Sequence, residues 1–203
     1  FSGDYPGAWA RAMENQGCAL AMFLAGGVGS HGPRPGAPGF EGMERMGRGL
    51  ADRTQAILAG LPCTNEVAFG LVTVPLRLPP LQVRVTDAIR LRPWVARQLL
   101  PMRDRVLIQA LRLGDAVWLS TPSDFSGELA LSLAPCAPNA RHVAVTSFNG
   151  DYIGYIIPAK YYHLGGYEPR TMSFFGPQLP DYLMAALAGL LTAANYSEGA
   201  LDP

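Results

Sequence analysis

Short apolar runs alternate with longer amphipathic stretches along the 203-residue sequence, and this alternation restricts the folds that it can adopt. Each apolar run has the length of a strand and falls short of the roughly 18 apolar residues that a membrane span needs. Strands that alternate with helices are typical of a sheet covered by helices. The sequence therefore predicts an α/β fold with a mixed β-sheet flanked by helices, either as a single domain or as the C-terminal part of a larger α/β domain.

The boundaries of the predicted elements follow from apolar periodicity and from turn residues. Helices are predicted at residues 7–15, 40–61, 91–100, 125–133 and 179–194. Strands are predicted at residues 18–24, 67–78, 106–113, 116–120 and 142–148, with a break at Pro75 and a hairpin turn at Gly114-Asp115. Residues 26–39 form a loop rich in glycine and proline, and residues 149–170 form an irregular stretch rich in tyrosine.

Charge and cysteine content limit the kinds of partner. The 16 Lys and Arg residues balance the 16 Asp and Glu residues, which argues against a nucleic-acid partner because such binding needs a basic face. Cys18, Cys63 and Cys136 lack the spacing of a metal site. They are predicted to be buried thiols, with one disulfide and a leftover thiol as the alternative. The first residue is Phe1 and not Met, so we expect the chain to be a processed product, an engineered fragment or the C-terminal piece of a longer protein.

The loops that follow predicted strands are the candidate sites, because ligands bind at the carboxyl ends of strands in α/β sheets. In the first loop, Ser30 and His31 form a nucleophile and base if the loop folds back, or else they lie in a flexible turn. Asp124 is either a functional carboxylate or the N-cap of the following helix. Tyr155 and Tyr167 are either site residues or core aromatics with a polar tip.

Three segments of the chain match one family in order and in approximate spacing. They are Ser-Gly-Asp-Tyr-Pro-Gly through Phe-Leu-Ala-Gly-Gly-Val-Gly (2–7 and 23–29), Leu-Arg-Leu-Gly-Asp through Ser-Thr-Pro-Ser-Asp-Phe (111–115 and 120–125), and Asp-Tyr-Ile-Gly-Tyr-Ile-Ile (151–157) with Tyr162, Tyr-Glu (167–168) and Phe-Gly-Pro (175–177). Together they resemble the neutral/alkaline non-lysosomal ceramidase family. That family has Asn-x-Gly-Asp-x-Ser-Pro, then Pro-Gly-Glu-Phe, then Tyr-x-x-Tyr, Glu-Glu-Tyr, Tyr-Glu and Tyr-Gly-Pro. The resemblance implies that residues 1–203 are the C-terminal portion of a ceramidase-like catalytic domain.

The resemblance also implies a chemistry, the zinc-dependent hydrolysis of the amide of N-acylsphingosine. The family's zinc-binding glutamate falls on Asp124, and its zinc-binding tyrosine falls on Tyr155. The tyrosine that donates a hydrogen bond to the developing oxyanion falls on Tyr167. Zn2+ accepts oxygen ligands and polarises a carbonyl, and a phenol suits an oxyanion. Asp124 and Tyr155 are thus expected to meet at the rim of one sheet, with the two zinc histidines in an upstream half.

The first loop departs from the family, and this departure leaves three functions open. The family's reactive serine falls on Gly32 and its aspartate falls on Ser30. A shift of two residues would place the Ser30 hydroxyl at the position of the reactive serine, which makes Ser30 the candidate catalytic hydroxyl of the loop. The three functions are a ceramidase-type amide hydrolase, a ceramidase-like hydrolase of another amide or ester, and a non-catalytic binding module that lacks zinc. The implied partners are a lipid-like small-molecule substrate, the upstream half of the same protein and a membrane surface. The implied location is extracellular or periplasmic.

Overall fold

A computed structural model describes residues 1–34, 36–62, 64–137 and 140–196. They divide into unit 1, residues 1–24 and 32–66, and unit 2, residues 25–31 and the chain from 67 onward. The helices are α1 (Asp4–Asn15), α2 (Gly39–Leu58), α3 (Pro93–Leu99), α4 (Gly127–Leu133) and α5 (Leu179–Tyr196). The strands are β1 (Phe69–Arg77), β2 (Arg105–Leu113), β3 (Ala116–Ser120), β4 (Asp124–Phe125), β5 (His142–Thr146) and β6 (Tyr155–Ile156).

Unit 1 is built on the close contact of α1 with α2. A Cβ placed on Gly47 would lie 2.4 Å from the Cβ of Ala8, so only a glycine on α2 permits this approach. Beside the contact, the Trp9 indole donates a hydrogen bond to the Thr54 hydroxyl at 3.1 Å. The two predicted helices at 7–15 and 40–61 are thus confirmed, and small residues form their contact.

The strand predicted at residues 18–24 is wrong. These residues adopt neither helix nor strand, and Leu20 and Met22 are 69% and 72% exposed. A continuous apolar run becomes a buried strand only when neighbouring strands pair with its backbone. Within the described part of the chain, no strand pairs with this run.

Unit 2 contains a four-stranded mixed sheet in the order β1-β2-β3-β5. The first three strands are antiparallel, and β5 lies parallel to β3. Helix α5 packs against this sheet through Leu183, Leu187 and Leu191, which are fully buried at helical spacing. The predicted α/β fold with a mixed sheet flanked by helices is therefore confirmed. No helix of the described residues has both the length and the apolar character needed to cross a membrane.

Strand β1 is continuous through Pro75, so the break predicted there is wrong. Pro75 pairs in register with Leu107 of β2. A proline lacks the N–H group that a strand interior needs, but an edge strand has one side free of hydrogen bonds. Because β1 is the edge of the sheet, it accommodates the proline without losing its register.

Strands β4 and β6 form a separate two-stranded parallel ladder. The sequence predicted a helix in place of β4 and an irregular stretch in place of β6. The helix predicted at 125–133 begins at Gly127, because Asp124 and Phe125 lie in β4. The alternative in which Asp124 caps that helix is therefore wrong, since Ser126 occupies the N-cap position. The irregular stretch at 149–170 contains β6 and two short helical turns, 159–161 and the start of 167–171.

The expectation of buried thiols fails for the cysteines that are described. Cys18 is half-buried, Cys136 is exposed, and both are free. Cys136 follows α4 in a short turn, where its side chain reaches the surface. Cys63 lies outside the described residues.

Candidate active site

Asp124 and Tyr155 lie opposite each other on neighbouring strands. They are register partners in the parallel β4–β6 ladder, and the Asp124 amide donates a hydrogen bond to the Gly154 carbonyl at 3.0 Å. Neighbouring strands run about 4.8 Å apart, so the two residues lie side by side. The expected proximity is confirmed, although in a ladder separate from the four-stranded sheet, and the role of both residues as metal ligands remains a prediction.

Asp124 is 7% exposed, and its carboxylate accepts a hydrogen bond from the phenol of Tyr152. The distance from the Tyr152 hydroxyl to Asp124 Oδ2 is 2.7 Å. The Tyr152 ring stacks on Phe148 with 6.2 Å between ring centroids. Phe148 has φ +62°, which is rare for a bulky residue and occurs where the surrounding structure imposes it. The turn after β5 thus holds Tyr152 in place, and Tyr152 holds the carboxylate.

The sequence assigned no role to Tyr152. It is the first tyrosine of the Tyr-x-x-Tyr pattern at residues 152–155, which is the signal that could have pointed to it. Spacing alone does not show which of the two tyrosines reaches Asp124.

The charges around Asp124 favour the binding of a cation beside its carboxylate. Within the described residues, no Lys, Arg or His side chain pairs with Asp124, whose hydrogen-bond donor is the neutral Tyr152. Burial, followed by the hydrogen bond to Asp124, raises the pKa of Tyr152. Burial, followed by the charge of Asp124, also raises the pKa of Tyr155. A buried carboxylate without a counter-charge is unfavourable, and a bound cation would relieve it.

Tyr167 lies beside the same pair. Its ring contacts that of Tyr155 edge to face, with 5.7 Å between centroids and 81° between planes. The turn that carries it is closed by the Met172 amide, which donates to the Tyr167 carbonyl at 3.1 Å. Tyr167 is 55% exposed, so its side chain is accessible to solvent. The structure therefore brings together Asp124, Tyr155 and Tyr167, with Tyr152 as an additional member.

Ser30 lies in a loop that folds back onto the start of α4. The Gly29 amide donates to the Phe125 carbonyl at 2.8 Å, and the Gly127 amide donates to the Ser30 hydroxyl at 3.0 Å. A Cβ on Gly29 would lie 2.4 Å from the Asp124 carbonyl oxygen, so this approach requires glycine. Ser30 Oγ lies 3.4 Å from His31 Nδ1, longer than a typical hydrogen bond to a hydroxyl. The loop places Ser30 next to the strand of Asp124, and its catalytic role remains a prediction.

The donor set matches zinc in kind but not in number. Zinc accepts carboxylate oxygen, and its protein sites are usually tetrahedral. Asp124 and Tyr155 supply a carboxylate and a phenol from paired positions of adjacent strands. No group of three or more His, Cys, Asp or Glu side chains in the described ranges is placed to hold a metal ion. The two residues therefore fit zinc as half of a ligand set that needs further donors.

The Tyr152→Phe variant tests the contact with Asp124, because it removes one hydroxyl and keeps the ring on Phe148. We expect the free energy of unfolding at pH 7 to fall by about 1–2 kcal/mol, since the carboxylate loses its donor. Because the folded-state pKa of Tyr152 is raised, its contribution is fully present below the ordinary value of 10.0 and is lost as the pH rises through the folded pKa. The variant should lack this part of the alkaline loss of stability.

Urea denaturation of both proteins between pH 7 and pH 11 measures these effects. Tyr182→Phe is the matched control, since Tyr182 lies half-exposed on α5. If Tyr152→Phe leaves the unfolding free energy at pH 7 equal to that of the control, the phenol does not support the carboxylate.

Comparison with known proteins identifies the fold. No protein-family model matches the sequence, and a sequence search of curated proteins finds no match. The structure of neutral ceramidase from Pseudomonas aeruginosa is similar, with a TM-score of 0.70, 16% sequence identity, and coverage of 95% of this chain and 41% of that chain. A ceramidase complexed with C2 gives a TM-score of 0.66, 16% identity, and coverage of 96% and 42%.

This chain spans about two fifths of the length of these ceramidases. At 16% identity the likeness concerns the fold. The chain therefore has the fold of one part of neutral ceramidase, which confirms at the level of fold the resemblance that the three sequence segments indicated.

Proposed function

We propose that this chain is the C-terminal part of a metal-dependent amide hydrolase of ceramidase type, which cleaves an N-acyl amide into a carboxylic acid and an amine. The observation that supports it most is the cluster of Asp124, Tyr155 and Tyr167 on a fold similar to that of neutral ceramidase. We extend the proposal to a lipid-like acyl substrate, met at a membrane surface in an extracellular or periplasmic location.

Asp124 and Tyr155 would hold the zinc as two of its ligands, and two histidines from an upstream half would complete the set. When bound, zinc would polarise the substrate carbonyl and lower the pKa of a water molecule. Tyr152 occupies Asp124 Oδ2, which orients the carboxylate and leaves Oδ1 for a second partner. A cation at this position would offset the Asp124 charge that raises the pKa of Tyr155.

Tyr167 and Ser30 would act on the substrate itself. The Tyr167 phenol would donate a hydrogen bond to the carbonyl oxygen as that oxygen gains negative charge, which is where a placed donor lowers the barrier most. The Ser30 hydroxyl would lie beside the reacting carbonyl, with His31 as the nearest base. Ser30 is held next to β4 and the start of α4 by the hydrogen bonds of the Gly29 and Gly127 amides, and Tyr167 contacts Tyr155 of β6.

Two substitutions relative to the family favour a second candidate, a ceramidase-like hydrolase of another amide or ester. Gly32 stands where the family has its reactive serine, and Asp124 is one methylene shorter than the family's glutamate. The first change removes a hydroxyl and the second shortens a carboxylate side chain, and either would change which substrates are accepted. A third candidate, a binding module without zinc, follows if the same changes abolish catalysis.

Metal analysis and a substrate panel on the full-length protein separate the three candidates. We expect one zinc per chain, with turnover of N-acylsphingosine that chelation removes and added zinc restores. A matched acyl ester and a simple N-acyl alkylamine complete the panel. Preferential turnover of either would favour the second candidate, and absence of both zinc and turnover would contradict the proposal in favour of the binding module.

A further inference from the structure

A cleft of about 320 Å³ in unit 2 is lined by both polar and apolar residues. Its polar lining residues include Ser30, Ser126, Glu128 and Glu168. Its apolar lining residues include Ile157 and Leu164. Its volume lies at the small end of the range for ligand pockets, which suits one part of a substrate better than a whole lipid.

Two residues of the cleft, Ser126 and Ile157, lie two positions after Asp124 and Tyr155 along the chain. The β4–β6 ladder continues beyond the pair, because the Ser126 amide donates to the Ile156 carbonyl at 2.9 Å. Residues two apart on a strand face the same side, so Ser126 follows Asp124 and Ile157 follows Tyr155 along one face. A substrate whose scissile bond lies at the Asp124–Tyr155 pair would therefore extend one of its two halves into the cleft.

The Ser126 hydroxyl is the clearest sign that the cleft receives a ligand. Ser126 is 0% exposed, and its Oγ has no hydrogen-bond partner among the described residues. It occupies the N-cap position of α4 without making the side-chain hydrogen bond that a serine usually makes there. A buried hydroxyl without a partner is unfavourable and therefore calls for an explanation. Ser126 belongs to the lining of the cleft, which makes a ligand bound there the candidate for the missing partner.

The charge of the cleft selects the kind of ligand. Lys160 Nζ lies 2.5 Å from Glu128 Oε1, and this hydrogen bond lowers the pKa of Glu128 and keeps it ionised. Among the described residues, no cationic side chain forms a salt bridge with Glu168. The nearby cation is Arg84, a buried guanidinium that donates to the carbonyls of Tyr162 and Pro169 and not to this carboxylate. A cleft with such a carboxylate in its lining attracts an ammonium group and repels a carboxylate.

We infer that this cleft binds the amine half of the amide substrate, the half that leaves as a primary ammonium ion. The assignment to a substrate half depends on the proposed function. Hydrolysis breaks the C–N bond, adds the oxygen of water to the carbonyl carbon and transfers protons to the nitrogen, so that RCONHR′ and H2O give RCOO⁻ and R′NH3⁺. The cleft holds the cationic product, and its apolar residues contact the aliphatic part of R′.

Titration of the full-length protein with n-butylammonium and with butyrate, followed by calorimetry and NMR at pH 7, tests this inference. We expect n-butylammonium to bind about tenfold more tightly than butyrate. Glu168→Gln should weaken its binding by about 3- to 5-fold, as for an exposed ion pair. Ser126→Ala should weaken it by about 5-fold and should leave the thermal unfolding temperature unlowered, because the hydroxyl has no partner to lose. Glu41→Gln, on the exposed side of α2, is the control and should change nothing.

Equal binding of butyrate and n-butylammonium would overturn the inference, as would wild-type affinity in Glu168→Gln. The binding assay requires no turnover, so it separates the inference from the proposed function. Ammonium binding that depends on Glu168 and Ser126 supports the amine site even if the protein hydrolyses none of the panel. Amide turnover without ammonium preference leaves the hydrolase proposal standing and removes the inference.

Discussion

Asp124→Asn is expected to lower the zinc affinity of the full-length protein by at least about 100-fold, and amide hydrolysis should fall with it. Loss of an outer residue that merely supports a metal ligand typically lowers affinity about 10- to 100-fold, so loss of a ligand charge should do at least as much. Asparagine has the same shape, and its carbonyl oxygen still accepts the hydrogen bond from Tyr152. The variant therefore removes the buried negative charge and keeps the local packing. Competition with a chromophoric chelator measures the affinity.

Two further variants make this result specific. Asp104→Asn changes an exposed carboxylate that pairs with Arg97 at 2.6 Å, and it should leave zinc affinity unchanged. Asp124→Glu keeps a carboxylate of the length found in the family and should retain zinc. If Asp124→Asn binds zinc as tightly as the wild type, Asp124 is not a ligand and the hydrolase proposal loses its metal site.

The sequence predicted elements well where local signals are sufficient. The hairpin of β2 and β3 follows from alternating apolar residues around Gly114, whose φ of +61° suits glycine. Helix α3 begins at Pro93, the position in the first turn where proline fits. These features depend on residues only a few positions apart, so no knowledge of the rest of the fold is needed.

The errors concern strands, whose existence depends on partners far away in the chain. The run at 18–24 has the composition of a buried strand but finds no partner in the described residues. Pro75 is accepted because β1 is an edge strand, which only the sheet order reveals. Asp124 precedes a helix, so the sequence allows it to be the N-cap of that helix, whereas its pairing with Tyr155 places it in β4. Strand formation reflects tertiary context more than local preference.

The sequence predicted only part of the candidate site, because some of its contacts also depend on tertiary structure. The family resemblance named Asp124, Tyr155 and Tyr167, and these residues lie together. The roles of Tyr152 and Ser126 depend on which atoms meet across the β4–β6 ladder. A hydroxyl without a partner, in particular, leaves no trace in a sequence, because serine is common at helix starts.

Tyr167→Phe is expected to reduce kcat for amide hydrolysis by about 10²- to 10³-fold, the usual effect of removing one donor to a developing oxyanion. Phenylalanine keeps the ring that contacts Tyr155 edge to face at 5.7 Å, so the packing of the site is retained. Because the hydrogen bond strengthens as charge develops on the oxygen, KM should change much less than kcat. Steady-state kinetics of the full-length protein measure both constants.

Zinc content distinguishes this effect from that of Asp124→Asn. Tyr167 is proposed to touch the substrate and not the metal, so Tyr167→Phe should keep a full complement of zinc. Tyr182→Phe is the control: Tyr182 lies exposed on α5 and has no ring contact with Tyr155 among the described residues. If Tyr167→Phe keeps the wild-type kcat, the phenol takes no part in catalysis. If the variant loses zinc together with its rate, Tyr167 belongs to the metal site and is not a donor to the oxyanion.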